Sequence, residues 1–169
     1  MSIWALTASA FRSDPVATLT GNAGLVFNSL GIYILLRVFW RSPADVVFLC
    51  RVVAWLLVPV ALLMVYEKLA ASNLFSILGG VPGVPEIRQG RVRAKGPFAH
   101  SILGGTVGAV MLPLCLGLWG RHRGTAMIGA LASATIVVTS ASSGPLMSAI
   151  FATFGLLFWP LRTTCARFA

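Results

Sequence analysis

Charged residues are scarce in this chain of 169 residues, at 10%, and acidic residues are the scarcest, with four Asp and Glu against 13 Lys and Arg. Soluble globular domains carry about 25% charged residues, so the composition argues against an ordinary cytosolic fold. Apolar residues make up 57% of the chain and the mean hydropathy is +0.89. These values also exclude a disordered chain, because disordered chains are poor in apolar residues. The composition is that of a membrane protein.

The sequence also lacks the residue sets of several common sites. Its three cysteines form no CxxC pair and show no spacing typical of zinc ligands or of a disulfide. There is no Ser/His/Asp set, no pair of carboxylates and no phosphate-binding Walker loop. We therefore expect no metal and no cofactor. Because these residue sets are missing, no catalytic residue can be assigned from them.

The excess of cations gives a formal net charge of +9. In a soluble protein this charge would suggest nucleic acid as the partner, since basic surfaces attract phosphate backbones. Here the cations stand between long apolar runs, so we expect membrane lipids as partners and no nucleic acid. The cations divide almost equally between the two sides of the membrane, and the positive-inside rule therefore does not decide the topology.

Three apolar segments reach the length of about 20 residues that a helix needs to cross the hydrocarbon core, and two shorter ones, of 14 residues each, follow them. The five segments are residues 17–40, 46–66, 98–119, 126–139 and 146–159. A polar break at residues 140–145 separates the last two, which form either two helices in a tight hairpin, the arrangement we favour, or one helix kinked at Gly144-Pro145. The sequence predicts an all-α, polytopic transmembrane protein with four to five spans in a single membrane domain, residues 1–169.

Glycines recur in the third apolar segment, at positions 104, 105, 108 and 117. Gly104 and Gly108 are four residues apart, and small residues at this spacing permit close contact between membrane helices. We therefore expect this segment to pack closely against another helix.

The connection between the second and third segments, residues 67–97, is the one substantial polar segment and is about 30 residues long. A loop of this length is more often functional than a simple connector. Four cations lie near its end: Arg88, Arg91, Arg93 and Lys95. If this stretch is extended, Arg91, Arg93 and Lys95 share a face, and if it is helical, Arg88, Arg91 and Lys95 do.

Guanidinium groups fit phosphate oxygens, so such a cluster could bind a diphosphate at the lipid surface. The alternative is an interfacial basic loop that touches anionic headgroups. His100, at the start of the third segment, is a possible accessory residue, because imidazole titrates near neutrality and could carry a proton or donate to a diphosphate. Its alternative role is that of a polar residue at the membrane interface.

The stretch from Gly90 to Gly105, GRVRAKGPFAHSILGG, resembles the O-antigen ligase and O-antigen polymerase (Wzy-type) family of bacterial envelope glycosyltransferases. That family often shows an Arg-rich extracytoplasmic loop, then Gly-x-Phe-x-His, then a Gly-containing membrane helix. The resemblance implies a multi-pass protein of the bacterial cytoplasmic (inner) membrane. It also implies a role in envelope polysaccharide assembly, as transfer or polymerisation of an undecaprenyl-diphosphate-linked glycan.

The resemblance further implies that Arg91 or Arg93 contacts the donor diphosphate and that residues 67–97 lie outside the cytoplasm. At the break after the fourth span the family commonly has Ser-Arg, whereas residues 139–145 here contain no cation. Family members continue into further helices and a loop with a catalytic His, so the resemblance implies a partial or truncated member. The alternative is a small non-enzymatic integral membrane protein, such as a transporter fragment or an assembly subunit.

Overall fold

A computed structural model describes residues 15–88 and 90–158 of the chain. Most of these residues form five helices: α1 (Pro15–Phe39), α2 (Pro43–Ala70), α3 (Ser101–Gly117), α4 (Arg123–Thr139) and α5 (Ser143–Phe158). Between α2 and α3 lie a short 3-10 helix, Leu74–Leu78, and an antiparallel hairpin of β1 (Glu86–Arg88) and β2 (Arg91–Arg93). The prediction of a mainly helical protein is confirmed, but the all-α prediction missed this hairpin.

The five helices lie on the five apolar segments, with shifted ends. Because α2 begins at Pro43 and ends at Ala70, residues 67–70, which the sequence assigned to the loop, are helical. The last two segments form separate helices, so the alternative of one kinked helix is wrong. Residues 140–142 interrupt them, and Ala141 there has a φ of 47°. Trp159, the end of the predicted fifth segment, lies outside the described residues.

Among the described residues, α1 and α2 are long and apolar enough to cross a membrane, by length and composition. The other three helices contain 17, 17 and 16 residues, fewer than the roughly 20 of a typical span. Four to five spans are therefore not supported. The sequence overestimated the span of α3, because the residues before Ser101 and after Gly117 form turns instead of helix.

The side chain of Asp45, in the first turn of α2, caps the start of that helix. Pro43 stands in the first turn, where its missing N–H costs no hydrogen bond. Oδ2 of Asp45 accepts the N–H groups of Ser42 at 2.8 Å and of Arg41 at 3.1 Å. These two backbone hydrogen bonds fix the direction in which the chain enters α2.

The chain divides into two compact units, Met1–Val46 and Val47–Ala169. In the second unit α3 packs along both α4 and α5, whereas α4 and α5 touch each other little. The expected close packing of the glycine-bearing segment is confirmed. A Cβ on Gly108 would lie 2.8 Å from the carbonyl oxygen of Ser133, and one on Gly105 would lie 2.5 Å from Oγ of Ser140. Glycine thus lets α3 approach α4 and the turn that follows it.

Candidate anion-binding site

The β-hairpin is held against the carboxyl end of α4. The last carbonyl groups of a helix have no partner within it and carry partial negative charge. One backbone N–H and two cationic side chains satisfy three of them: the N–H of Ala94 donates to Thr139 O at 3.2 Å, Nε of Arg93 to Ser140 O at 3.4 Å, and Nζ of Lys68 to Val138 O at 3.3 Å. These bonds join the polar segment to a helix more than 40 residues away in sequence.

A buried carboxyl group holds the chain just after β2. Glu67 is 1% exposed, and its Oε2 accepts the N–H groups of Lys95 at 3.2 Å and Gly96 at 2.8 Å. Nδ2 of the buried Asn73 donates to the carbonyl oxygen of Gly96 at 2.9 Å. Gly96 has a φ of 57°, a left-handed conformation that favours glycine. The end of α2 therefore sets where the hairpin ends and where the chain turns into α3.

An open pocket with a volume of about 460 Å³ lies between the hairpin and the start of α5. Its lining comprises three arginines of the hairpin, Ile102 of α3 and residues 141–145; the arginines are Arg88, Arg91 and Arg93. Residues 143–145 form the first turn of α5. Ser143 and Gly144 carry backbone N–H groups, which attract anions at a helix start, whereas Pro145 has none. The pocket thus combines guanidinium groups with the positive end of a helix dipole.

The four predicted cations occupy different environments. Arg88 and Arg91 are exposed and stand opposite each other as a cross-strand pair. Arg93 is 5% exposed, and its Nη1 pairs with Oε1 of Glu86 at 2.9 Å. Lys95 is equally buried, its Nζ donates to the carbonyl oxygen of Val84 at 2.9 Å, and it does not line the pocket. The extended conformation, one of the two alternatives, is the one observed over Arg91–Arg93.

Glu86 balances one of the three arginines. Its Oε2 accepts the hydroxyl of the buried Ser101 at 3.1 Å. Partial burial acts to raise the pKa of Glu86, but the Ser101 hydrogen bond and the charge of Arg93 outweigh it and hold the pKa below its ordinary value. The carboxylate therefore offsets the charge of Arg93. Within the described part of the chain, no acidic side chain forms an ion pair with Arg88 or Arg91.

His100 precedes the first residue of α3, and its exposed side chain makes no capping hydrogen bond. Its charge contributes to the lowered pKa of Glu86, but it does not line the arginine pocket. Residues 141–145, which do line it, were not among the predicted site residues. The sequence offered only one signal for them, a Ser-rich break before an apolar segment, which is typical of a helix start.

Among residues 15–88 and 90–158, no group of three or more His, Cys, Asp or Glu side chains is arranged to hold a metal ion. Comparisons of the chain with protein-family models, with curated proteins and with solved structures find no match. The resemblance to O-antigen ligases and polymerases therefore stays a prediction.

Proposed function

We propose that this protein binds an undecaprenyl-diphosphate-linked glycan at the membrane and acts in envelope polysaccharide assembly, as an O-antigen ligase- or polymerase-like protein. The observation that carries the proposal is the cross-strand pair of Arg88 and Arg91 at the mouth of the pocket. Like charges directly opposite each other destabilise a hairpin. An anion bound between them turns this repulsion into attraction.

A diphosphate esterified at both ends suits the charge of the pocket, because it carries one negative charge on each phosphorus. Arg88 and Arg91 supply two cations that no described acid pairs, and the start of α5 supplies N–H groups. In glycan transfer an acceptor hydroxyl attacks the anomeric carbon and the lipid diphosphate leaves. Arginines at the diphosphate would stabilise the negative charge that grows on this leaving group.

The proposal includes a multi-pass location in the bacterial cytoplasmic membrane, with the hairpin on the outer side. It is supported by the two helices of spanning length, α1 and α2. Topology reporters fused after Gly83 and after His122 would test it. We expect the first outside and the second in the cytoplasm, and a cytoplasmic Gly83 would contradict the proposed function.

The anion site is tested by titrating inorganic diphosphate into the purified chain in detergent and measuring the heat of binding. We expect Arg88→Gln and Arg91→Gln each to weaken binding by about ten- to a hundredfold, since a hydrogen bond to a charged group contributes about 1.5–3 kcal/mol. Arg123→Gln, at the opposite end of α4, is the matched control and should bind normally. Equal affinities for all four proteins would contradict the proposal.

Glycan transfer needs a separate assay, in vesicles that contain the chain, an undecaprenyl-diphosphate-linked oligosaccharide and a glycan acceptor. Product that disappears with Arg91→Gln would support an enzyme. Diphosphate binding without any product would support the alternative, a non-enzymatic assembly subunit that binds the lipid-linked glycan for another protein.

A further inference from the structure

Two further cavities continue from the arginine pocket along the protein surface. The first, of about 620 Å³, shares Arg91 and residues 141–143 with the arginine pocket. The second, of about 350 Å³, shares Val137, Val138 and Leu146 with the first. Because each cavity shares part of its wall with the next, the three form one path, which we name the α4–α5 groove where it lies between these two helices.

The chemistry of this path changes along its length. At the arginine pocket it is cationic, and its middle cavity combines Lys68 and Arg91 with apolar residues of α4 and α5. In the last cavity the one polar side chain is that of Thr153, whose hydroxyl already donates to the carbonyl oxygen of Ala149 at 2.8 Å. The far end of the groove therefore offers nothing to a polar ligand.

The groove follows one face of α5. Its lining residues on this helix recur at intervals of three and four, the spacing of a single helix face: Leu146, Ala149, Ile150, Thr153, Phe154 and Leu157. The last of these residues stands eleven positions after the first, so this face is about 16 Å long. That length is about half of the roughly 30 Å hydrocarbon core of a bilayer, or one leaflet. The groove stays open because α5 packs on α3 and touches α4 little.

We propose that the α4–α5 groove holds the hydrocarbon chain of a lipid whose diphosphate lies among the arginines. The inference rests on the proposed function, because the arginine pocket must bind the diphosphate. Charge complementarity at one end and a purely apolar wall at the other fit an amphiphile of this kind. A helix of another protein would fill the apolar part but would leave the arginines without a counterion.

Photo-crosslinking tests this assignment. The full chain is placed in vesicles of phosphatidylcholine, which has no net charge, with farnesyl diphosphate that carries a benzophenone at the far end of its prenyl chain. Mass spectrometry of the peptides then locates the crosslinks. We expect them to concentrate on Phe154 and Leu157 in the groove, severalfold above Met147 and Phe151, which are exposed on α5 but do not line it.

Two variants fill the groove from different helices, so that the proposal can still be tested if one of them does not fold. Thr153→Phe fills it from α5 and Ala134→Phe from α4, and both should remove the crosslinks at Leu157. Ser148→Phe adds the same ring at an exposed position that does not line the groove and should leave them in place.

Even labelling around α5, in a wild-type chain that still binds inorganic diphosphate, would overturn the groove assignment and leave the proposed function standing. Failure of the wild-type chain to bind inorganic diphosphate would contradict both the groove assignment and the proposed function. Crosslinks from the groove face to a second copy of the chain, in place of the lipid, would also overturn the assignment.

Discussion

Glu67 offers the sharpest test of how the hairpin is held in place. Its Oε2 accepts two backbone N–H groups, those of Lys95 and Gly96, and its Oε1 has no hydrogen-bond partner in the described part of the chain. Glu67→Ala removes the shared acceptor of both N–H groups. Glu67→Gln keeps an accepting oxygen in place and puts an amide where the unpartnered oxygen was.

The magnitudes follow from the burial of these groups. A buried donor that loses its partner costs about 1–3 kcal/mol, so two cost about 2–6 kcal/mol. Truncation to Ala leaves room for a water molecule that can bond to both N–H groups. We therefore expect the free energy of unfolding to fall by an amount in the lower half of this range, about 2–4 kcal/mol. For Glu67→Gln we expect a smaller loss, about 1–3 kcal/mol, because the accepting oxygen is kept while the NH2 group that replaces Oε1 finds no acceptor among the described residues.

Thermal unfolding in detergent, followed by circular dichroism, measures this difference. A loss of 2–4 kcal/mol in a chain of this size lowers Tm by about 5–15 °C. Hydrogen exchange at the amides of Lys95 and Gly96 should accelerate in Glu67→Ala and stay slow in Glu67→Gln. Unchanged exchange in the Ala variant would refute the reasoning. Equal acceleration of exchange in both variants would show that the accepting oxygen does not hold these two amides.

Three further predictions concern other parts of the structure. Gly105→Ala places a Cβ 2.5 Å from Oγ of Ser140 and should destabilise the protein by about 1–3 kcal/mol in thermal unfolding, whereas Gly117→Ala, with open space around it, should not. Glu86→Gln leaves the buried arginine of β2 without its counterion and should tighten diphosphate binding, with a steeper salt dependence in calorimetry. Asp45→Ala removes the acceptor of the N–H groups of Ser42 and Arg41 and should accelerate hydrogen exchange at these two amides, while exchange in the middle of α2 should not change.

The helices could be predicted from the sequence because each apolar segment is bounded by turn residues that stop a helix. The hairpin could not be predicted, because its strands have only three residues each. Part of what holds it lies far away in sequence, in the carboxyl end of α4. A local pattern of apolar and polar residues carries no information about such contacts.

The candidate site was predictable in the same partial way. The sequence identified the cations but could not separate Arg88 and Arg91 from the two that are buried within the fold. That separation depends on Glu86, seven residues before its arginine partner, and on the carbonyl group of Val84. The turn before α5 lies against Gly105 of α3, where an added Cβ would come within 2.9 Å of Pro145, and a local sequence pattern does not reveal this contact.

The repulsion between Arg88 and Arg91 depends on where the hairpin lies. As a general scale, two unit charges about 6 Å apart repel by about 0.7 kcal/mol at the dielectric constant of water and by about 3 kcal/mol at an effective dielectric constant of 20, which is typical of charge pairs near a protein surface. The cost of the pair rises as the effective dielectric constant around the hairpin falls, and the attraction of a diphosphate between the two guanidinium groups grows by the same factor. The proposed anion site and the proposed lipid groove that begins at Arg91 therefore both favour surroundings of low dielectric constant, such as a membrane surface.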